Sequence, residues 1–154
     1  MTRLSITPQQ IFASAPQHMV LDVITSAAYP PPAQSGRAMY IVDRQATCDI
    51  LAFVEQSDKG TSLTIKRMVP RPPDSVRFEH LTGMFAGAVE HVNLRTENGG
   101  TVISVVADLD PVEGLSPRAQ LYSVETAIGE MLEQIRAAVE TLARSGGPHG
   151  DSRR

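Results

Sequence analysis

The sequence predicts an α+β fold in which an antiparallel sheet of about seven strands wraps around a long C-terminal helix. Apolar residues recur at helical spacing across residues 117–144, and a period of two residues dominates 38–109. The segments between the predicted strands are short and contain Gly, Pro, Asn and Asp, which favours antiparallel neighbours. Such a sheet buries one face, and only the long helix is large enough to cover it.

The C-terminal helix has the strongest pattern. Ser116 is a favourable N-cap, Pro117 suits the first helical position, and Gly146-Gly147 follow the last periodic residue. Gly129 interrupts the helix at a cost of up to about 1 kcal/mol relative to alanine, so it indicates either the close approach of a strand or space left for a ligand. The apolar stripe consists of Leu121, Val124, Ile128, Met131, Leu132, Ile135, Val139 and Leu142.

The preceding elements follow from local pattern. Residues 4–14 predict an opening strand despite Pro8, and Ser14-Ala15-Pro16 begin a short helix that ends near Ala28. Tyr29-Pro30-Pro31-Pro32 then opens a loop, because three prolines cannot continue a helix. Six further strands are predicted at 38–44, 47–56, 61–69, 75–82, 86–96 and 101–109.

Length and charge limit the possible function classes. The 154 residues fit a single ligand-binding domain, expected over 1–144, followed by a Gly/Ser/Arg-rich tail at 145–154 that we expect to be disordered. A net charge of −3 without a basic block gives no electrostatic footprint for nucleic acid. There is no apolar run of signal-peptide length, and none approaches the ~20 residues of a membrane span.

The single cysteine and the missing motifs also exclude several classes of site. Cys48 lies in an apolar alternation, which predicts a small buried hydrophobe, and a lone cysteine excludes an intramolecular disulfide. These features predict a cytoplasmic protein. No two histidines have helical ligand spacing, and there is no P-loop, G-x-G-x-x-G or G-x-S-x-G. We therefore expect neither a metal nor an organic cofactor.

Three polar residues interrupt the apolar stripes of adjacent predicted strands. Arg67 shares a face with Ile65, His80 shares one with Phe78, and Glu90 alternates with Val92. Isolated charges on a buried face are expensive, so these groups are expected to be paired or directed at a ligand. The alternatives are a structural ion pair between Arg67 and Glu90, or a strand whose faces are assigned backwards because of a bulge.

Four local motifs occur in an order typical of one superfamily. Residues 76–85 read V-R-F-E-H-L-T-G-M-F and resemble a strand-ending V-R-F-E-x-x-x-G-P-F, and Gly99-Gly100-Thr101 with Asp110 resembles a G-G-T…E/D-F hairpin. Ala15-Pro16 and Tyr29-Pro30 resemble the usual start and end of the first helix. Over about residues 5–144 the chain thus resembles the START-like, or birch-pollen-allergen-like, helix-grip superfamily (SRPBCC), and within it the polyketide cyclase/aromatase branch.

The resemblance implies an elongated apolar cavity between the sheet and the long helix. Arg67, which precedes the Pro-rich turn as an arginine of such aromatase/cyclases does, would stabilise a developing oxyanion, with His80 or Glu90 as general base. Tyr29 would cap the cavity mouth or lie on the surface, and Tyr122 would reach the cavity edge or simply pack. The expected substrate-binding residues are Tyr29, Ile65, Phe78, Phe85, Val92, Leu94, Tyr122 and Gly129.

The chain also departs from that branch. Val92-x-Leu94 stands where cyclases usually carry W-x-F, the sequence has no tryptophan, and the loop tyrosine of some aromatase/cyclases has no counterpart. These differences imply a wider, less aromatic site. We therefore do not expect this protein to catalyse the same reaction as the aromatic-polyketide enzymes in every respect.

The function predicted from the resemblance is that of a cofactor-independent polyketide cyclase-like enzyme. It would bind a hydrophobic, oxygenated small molecule and promote cyclisation and dehydration, either as a monomer or as a homodimer. The alternative is a non-catalytic carrier for a lipid, quinone or other hydrophobe. A third reading, an interaction protein of the ribosome-associated toxin type, conflicts with the acidic balance of the chain.

Overall fold

The structure is a computed structural model that describes residues 2–26 and 37–145. The predicted loop that begins at Tyr29 lies outside the described residues, as does all of the predicted tail except Ser145. The elements are β1 (Leu4–Ser5), β2 (Gln9–Ala13), α1 (Gln17–Thr25), β3 (Arg37–Arg44), β4 (Asp49–Ser57), β5 (Gly60–Arg71), β6 (Ser75–His80), β7 (Val89–Glu97), β8 (Gly100–Leu109) and α2 (Pro117–Arg144).

All strand pairs described are antiparallel and form one sheet in the order β1-β8-β7-β6-β5-β4-β3, with β2 also pairing with β8. The predicted fold class is confirmed, but the predicted opening strand is two strands. The Ile6 N–H donates to Ala107 O at 3.1 Å, whereas Gln9 pairs with Val105, so Thr7 and Pro8 together face a single residue. Pro8 has no N–H to donate to the ladder, and a bulge accommodates it.

Two hairpins fix which residues face α2. The turn between β7 and β8 uses Asn98 and Gly99 with φ of 51° and 78°, the left-handed geometry that favours these residue types. β5 runs through Pro70 as far as Arg71, beyond its predicted end, and pairs with Ser75 across a three-residue turn. Because that turn has an odd number of residues, odd-numbered residues of β5 share a face with odd-numbered residues of β6.

The long helix forms the other side of the core, as predicted. Ser116 Oγ accepts a hydrogen bond from Ala119 N at 3.1 Å, which caps α2, and Pro117 occupies its first turn. The predicted stripe is confirmed: Val124, Ile128, Leu132, Ile135 and Val139 are buried, and Leu121, Met131 and Leu142 pack partly buried against the same core.

Side-chain amides and carboxylates fix α2 against the sheet. Buried Gln120 donates from Nε2 to Asp110 O at 2.8 Å and accepts from Val112 N at 3.0 Å, which ties the segment after β8 to the helix. At either end of β2, Glu125 accepts from Thr7 N at 2.8 Å and Glu140 from Ser14 N at 2.9 Å. These contacts set the distance between α2 and the sheet.

Within the described ranges, no helix combines the length and apolar character needed to cross a membrane.

Candidate functional site

A cavity of about 610 Å³ lies between the sheet and α2. This volume is within the range of roughly 300–1,000 Å³ typical of small-molecule sites. Its helical side consists of Val124, Ala127, Ile128, Met131, Gln134 and Ile135, which follow the buried stripe of α2. The rest of the lining comes from residues on β3 to β8, from the 82–85 segment between β6 and β7, and from Ile24 of α1.

Three side chains that can carry charge, from the successive strands β5, β6 and β7, meet in this cavity, and Glu55 of β4 also lines it. Lys66 of β5 is directly opposite His80 of β6, and Glu90 of β7 is directly opposite Phe78, so His80 and Glu90 are diagonal neighbours. His80 Nε2 lies 3.4 Å from Glu90 Oε2. Their side chains line a largely apolar space, in which electrostatic interactions are stronger than in water.

Glu90 is buried and is the carboxylate next to His80. Burial, the largest single influence, raises the pKa of its carboxyl group, but Lys66, a contact with His80 and the charge of His80 together lower that pKa below its ordinary value of 4.5. The opposing charges therefore outweigh desolvation, and Glu90 is a carboxylate at neutral pH.

The contact between His80 and Glu90 is long for a hydrogen bond. Its length of 3.4 Å and its angle leave the buried His80 Nε2 without a well-aligned hydrogen-bond partner among the described residues. We regard this contact as an electrostatic one that orients the ring. The imidazole can therefore still form a hydrogen bond with a ligand in the cavity.

Lys66 supplies the cation of the site. Its Nζ lies 4.6 Å from the centroid of the Phe53 ring, a cation–π contact that holds the ammonium group over an apolar surface. Among the described residues, no carboxylate lies within ion-pair distance of Lys66, although Glu90 is close enough to interact electrostatically. The ammonium group can therefore donate a hydrogen bond to an oxygen of a bound ligand.

Arg67 does not face the cavity, and the predicted orientation of this residue is wrong. Its guanidinium pairs with Glu79 on the opposite face of the sheet, where Arg77 binds the same carboxylate. Arg67 forms a structural ion pair, as the alternative prediction stated, but its partner is Glu79 instead of Glu90. Ile65 and Val69, the apolar residues on either side of Arg67 in the alternation, lie on that outer face, whereas the inner face of β5 carries Ser62, Thr64, Lys66 and Met68.

Five of the other predicted site residues lie in the cavity: His80, Glu90, Phe78, Phe85 and Val92. Ile65 does not line it, because it shares the outer face with Arg67.

Three more of the predicted contacts, all among the described residues, do not line the cavity. Leu94 is buried in the core beyond the cavity, and Tyr122 is 72% exposed. A Cβ on Gly129 would meet no heavy atom within 4 Å, which rules out the close approach of a strand, and this glycine does not line the cavity either. Tyr29 lies outside the described residues.

The sequence did not lead us to predict Lys66 or the hydroxyl groups of Ser62, Thr64 and Thr82 as site groups. A signal for Lys66 was present in the β5–β6 hairpin. The predicted turn of five residues and the observed turn of three both have odd length, so an inward-facing His80 requires even-numbered residues of β5 to face inward. Arg67 and His80 could not share a face in either case.

Cys48 is not among the residues that line the cavity. Cys48 is buried, as predicted, and its thiol lies 3.3 Å from Gln45 Oε1. In the part of the chain that the structure describes, no three His, Cys, Asp or Glu side chains are arranged to hold a metal ion.

Similarity to known proteins is found among solved structures. No protein-family model and no curated protein matches the sequence. Among solved structures, the Zhui aromatase/cyclase from Streptomyces sp. R1128 has a TM-score of 0.76 at 12% identity, over 95% of this chain and 99% of that chain. A START superfamily protein from Mycobacterium smegmatis has a TM-score of 0.72 at 11% identity, over 90% and 99%.

A larger protein contains the same fold as one of its parts. The di-domain ARO/CYC protein StfQ from the steffimycin biosynthetic pathway has a TM-score of 0.73 at 13% identity, over 92% of this chain and 52% of that one. The chain thus spans about half the length of StfQ. These similarities confirm the predicted START-like helix-grip fold, and at such identities they establish the fold alone.

Proposed function

We propose that this protein binds a largely apolar molecule with several carbonyl groups and promotes its ring closure by an aldol-type condensation followed by loss of water. The observation that carries the proposal is the trio Lys66, His80 and Glu90, grouped inside an otherwise largely apolar cavity. Aromatase/cyclases among the solved structures with this fold give independent support.

Each member of the trio has a role that follows from its charge and surroundings. Glu90 remains ionised and orients the imidazole of His80. The neutral imidazole of His80 acts as the general base that removes a proton from a carbon next to a carbonyl group, and the imidazolium that forms faces the Glu90 carboxylate. Lys66 replaces Arg67 as the group that stabilises the enolate oxygen, because its ammonium group faces the cavity.

The proposed steps balance without a cofactor. Removal of the C–H proton by His80 leaves an enolate, whose carbon forms a C–C bond with a second carbonyl carbon of the same chain. The resulting alkoxide takes the proton back from His80, and subsequent elimination of hydroxide and a proton releases one water. The cavity contributes by holding the chain in a folded, reactive conformation.

Incubation with a synthetic linear polyketone thioester tests this proposal. The expected product is a cyclic compound lighter by one water, formed faster with wild type than with Glu90→Gln or with buffer alone. Liquid chromatography with mass spectrometry follows the substrate and the product.

A carrier would give a different result in the same experiment. It would bind the polyketone and return it unchanged, with the trio fixing only the ligand's orientation. Binding without conversion, at a rate no higher than that of buffer, would contradict the enzymatic proposal and support the carrier.

A further inference from the structure

The cavity has a polar strip along β5 and the end of β6, within a lining that is otherwise largely apolar. Ser62, Thr64 and Lys66 follow each other along the inner face of β5, with alternate residues about 7 Å apart. Thr82 and His80 continue this polar surface beside them, and Glu55 of β4 lies directly opposite Ser62. The helix opposite presents mainly aliphatic side chains, namely Val124, Ala127, Ile128, Met131 and Ile135, with Gln134 as its polar member.

Two of the hydroxyl groups are placed to contact a ligand. Thr82 Oγ1 accepts a hydrogen bond from Ile65 N at 2.9 Å, which leaves its own O–H to donate. Thr64 lies beside Gly83, and a Cβ at that glycine would come within 3.6 Å of Thr64 Oγ1. Because Gly83 has no side chain, the Thr64 hydroxyl remains uncovered on the cavity side.

We propose that the ligand is oxygenated along one edge and is bound in one orientation. Its hydroxyl or carbonyl groups face the surface formed by Ser62, Thr64, Lys66, His80 and Thr82, and its hydrocarbon edge faces α2. A plain hydrocarbon would leave the polar side chains without partners, so the site discriminates against it. The inference rests on the proposed function only in taking the cavity as the ligand site, and it holds with or without ring closure.

A matched pair of neutral probes tests this inference. Naringenin is a flavanone with three hydroxyl groups, and unsubstituted flavanone has the same ring system without them. Competition with a fluorescent apolar dye gives both dissociation constants for wild type, Thr64→Val and Thr61→Val. Thr64→Val removes the hydroxyl at nearly constant volume, and Thr61 lies on the same strand but faces away from the cavity.

We expect wild type to bind naringenin at least about tenfold more tightly than flavanone. Thr64→Val should reduce this preference about fivefold, whereas Thr61→Val should retain it. Thermal melting confirms that both variants are folded.

Equal affinities of wild type for the two probes, a preference unchanged in Thr64→Val, or no binding of either probe would each overturn the inference. Its failure is distinguishable from that of the proposed function. Conversion of the polyketone together with equal probe affinities would contradict the inference about ligand orientation and leave the proposed function standing. A clear preference for naringenin without conversion of the polyketone would contradict the catalytic proposal and leave the inference about ligand orientation standing.

Discussion

His80 and Glu90 lie diagonally across the β6–β7 pair, with Nε2 of the imidazole 3.4 Å from Oε2 of the carboxylate. Glu90 is buried, and a buried carboxylate is normally costly unless charges nearby compensate it. Lys66 on β5 and His80 on β6 supply that compensation. The relationship therefore affects both the stability of the fold and the chemistry proposed for the cavity.

Glu90→Gln should change how stability depends on pH. The folded-state pKa of Glu90 is below its ordinary value of 4.5, so folding favours the carboxylate. The resulting stabilisation is fully present above about pH 4.5 and is lost as the pH falls through the folded-state pKa. The difference in free energy of unfolding between wild type and Glu90→Gln, measured with urea, should therefore decrease in acid. A difference that stays constant or grows as the pH falls below 4.5 would be incompatible with this electrostatic account.

Lys66→Met should raise the pKa of Glu90. The substitution removes the largest of the influences that lower this pKa and leaves the opposing effect of burial in place. Carbon-13 NMR of the side-chain carboxyl group measures the change directly. Arg67→Met is the matched control, because its side chain lies on the other face of the sheet and should leave the Glu90 titration where it is. Equal shifts in the two variants would mean that Lys66 does not act on Glu90 from inside the cavity.

Leu132→Ala and Tyr122→Ala should differ strongly in stability. Leu132 is buried on the face of α2 that packs against the core, and its truncation is expected to cost about 3 kcal/mol in free energy of unfolding. Tyr122 is exposed on the same helix, and its truncation should cost less than about 0.5 kcal/mol. Urea denaturation measures both. A large loss at Tyr122 would favour the packing or ligand-contact role first expected for it.

Gly129→Ala should stabilise the protein. A Cβ at this position meets no heavy atom within 4 Å, so the gain in helix propensity, up to about 1 kcal/mol, is not offset by a clash. Chemical denaturation should show an increase in the free energy of unfolding with no change in probe binding. A decrease in stability would indicate that the space beside α2 is occupied, contrary to the structure.

The fold could be predicted from the sequence because its strongest signals are local. The stripe of α2 extends over many turns, and turn residues such as Asn98 and Gly99 mark hairpins independently of distant contacts. Pro8 was the exception, since its missing N–H splits the opening strand by a bulge that depends on the partner strand.

The site was harder to predict, because alternation alone does not say which face of a strand is interior. On β5 the apolar residues Ile65 and Val69 share the outer face with Arg67, while the inner face carries polar residues because it lines a cavity instead of a packed core. On β7 the inner face carries the apolar residues Val92 and Leu94 beside Glu90, and there the same reasoning gave the correct orientation. Pairing across the β5–β6 hairpin would have identified Lys66.

The most direct test of the account compares Lys66→Met with Arg67→Met in the ring closure of the linear polyketone thioester. These adjacent residues both lose a cation, but only Lys66 lies in the cavity. We predict that Lys66→Met lowers kcat/KM about a hundredfold, as expected for the loss of an oxyanion-stabilising group, while Arg67→Met stays close to wild type. Unchanged turnover in Lys66→Met, or an equal loss in both variants, would contradict the proposal that Lys66, His80 and Glu90 form a catalytic site.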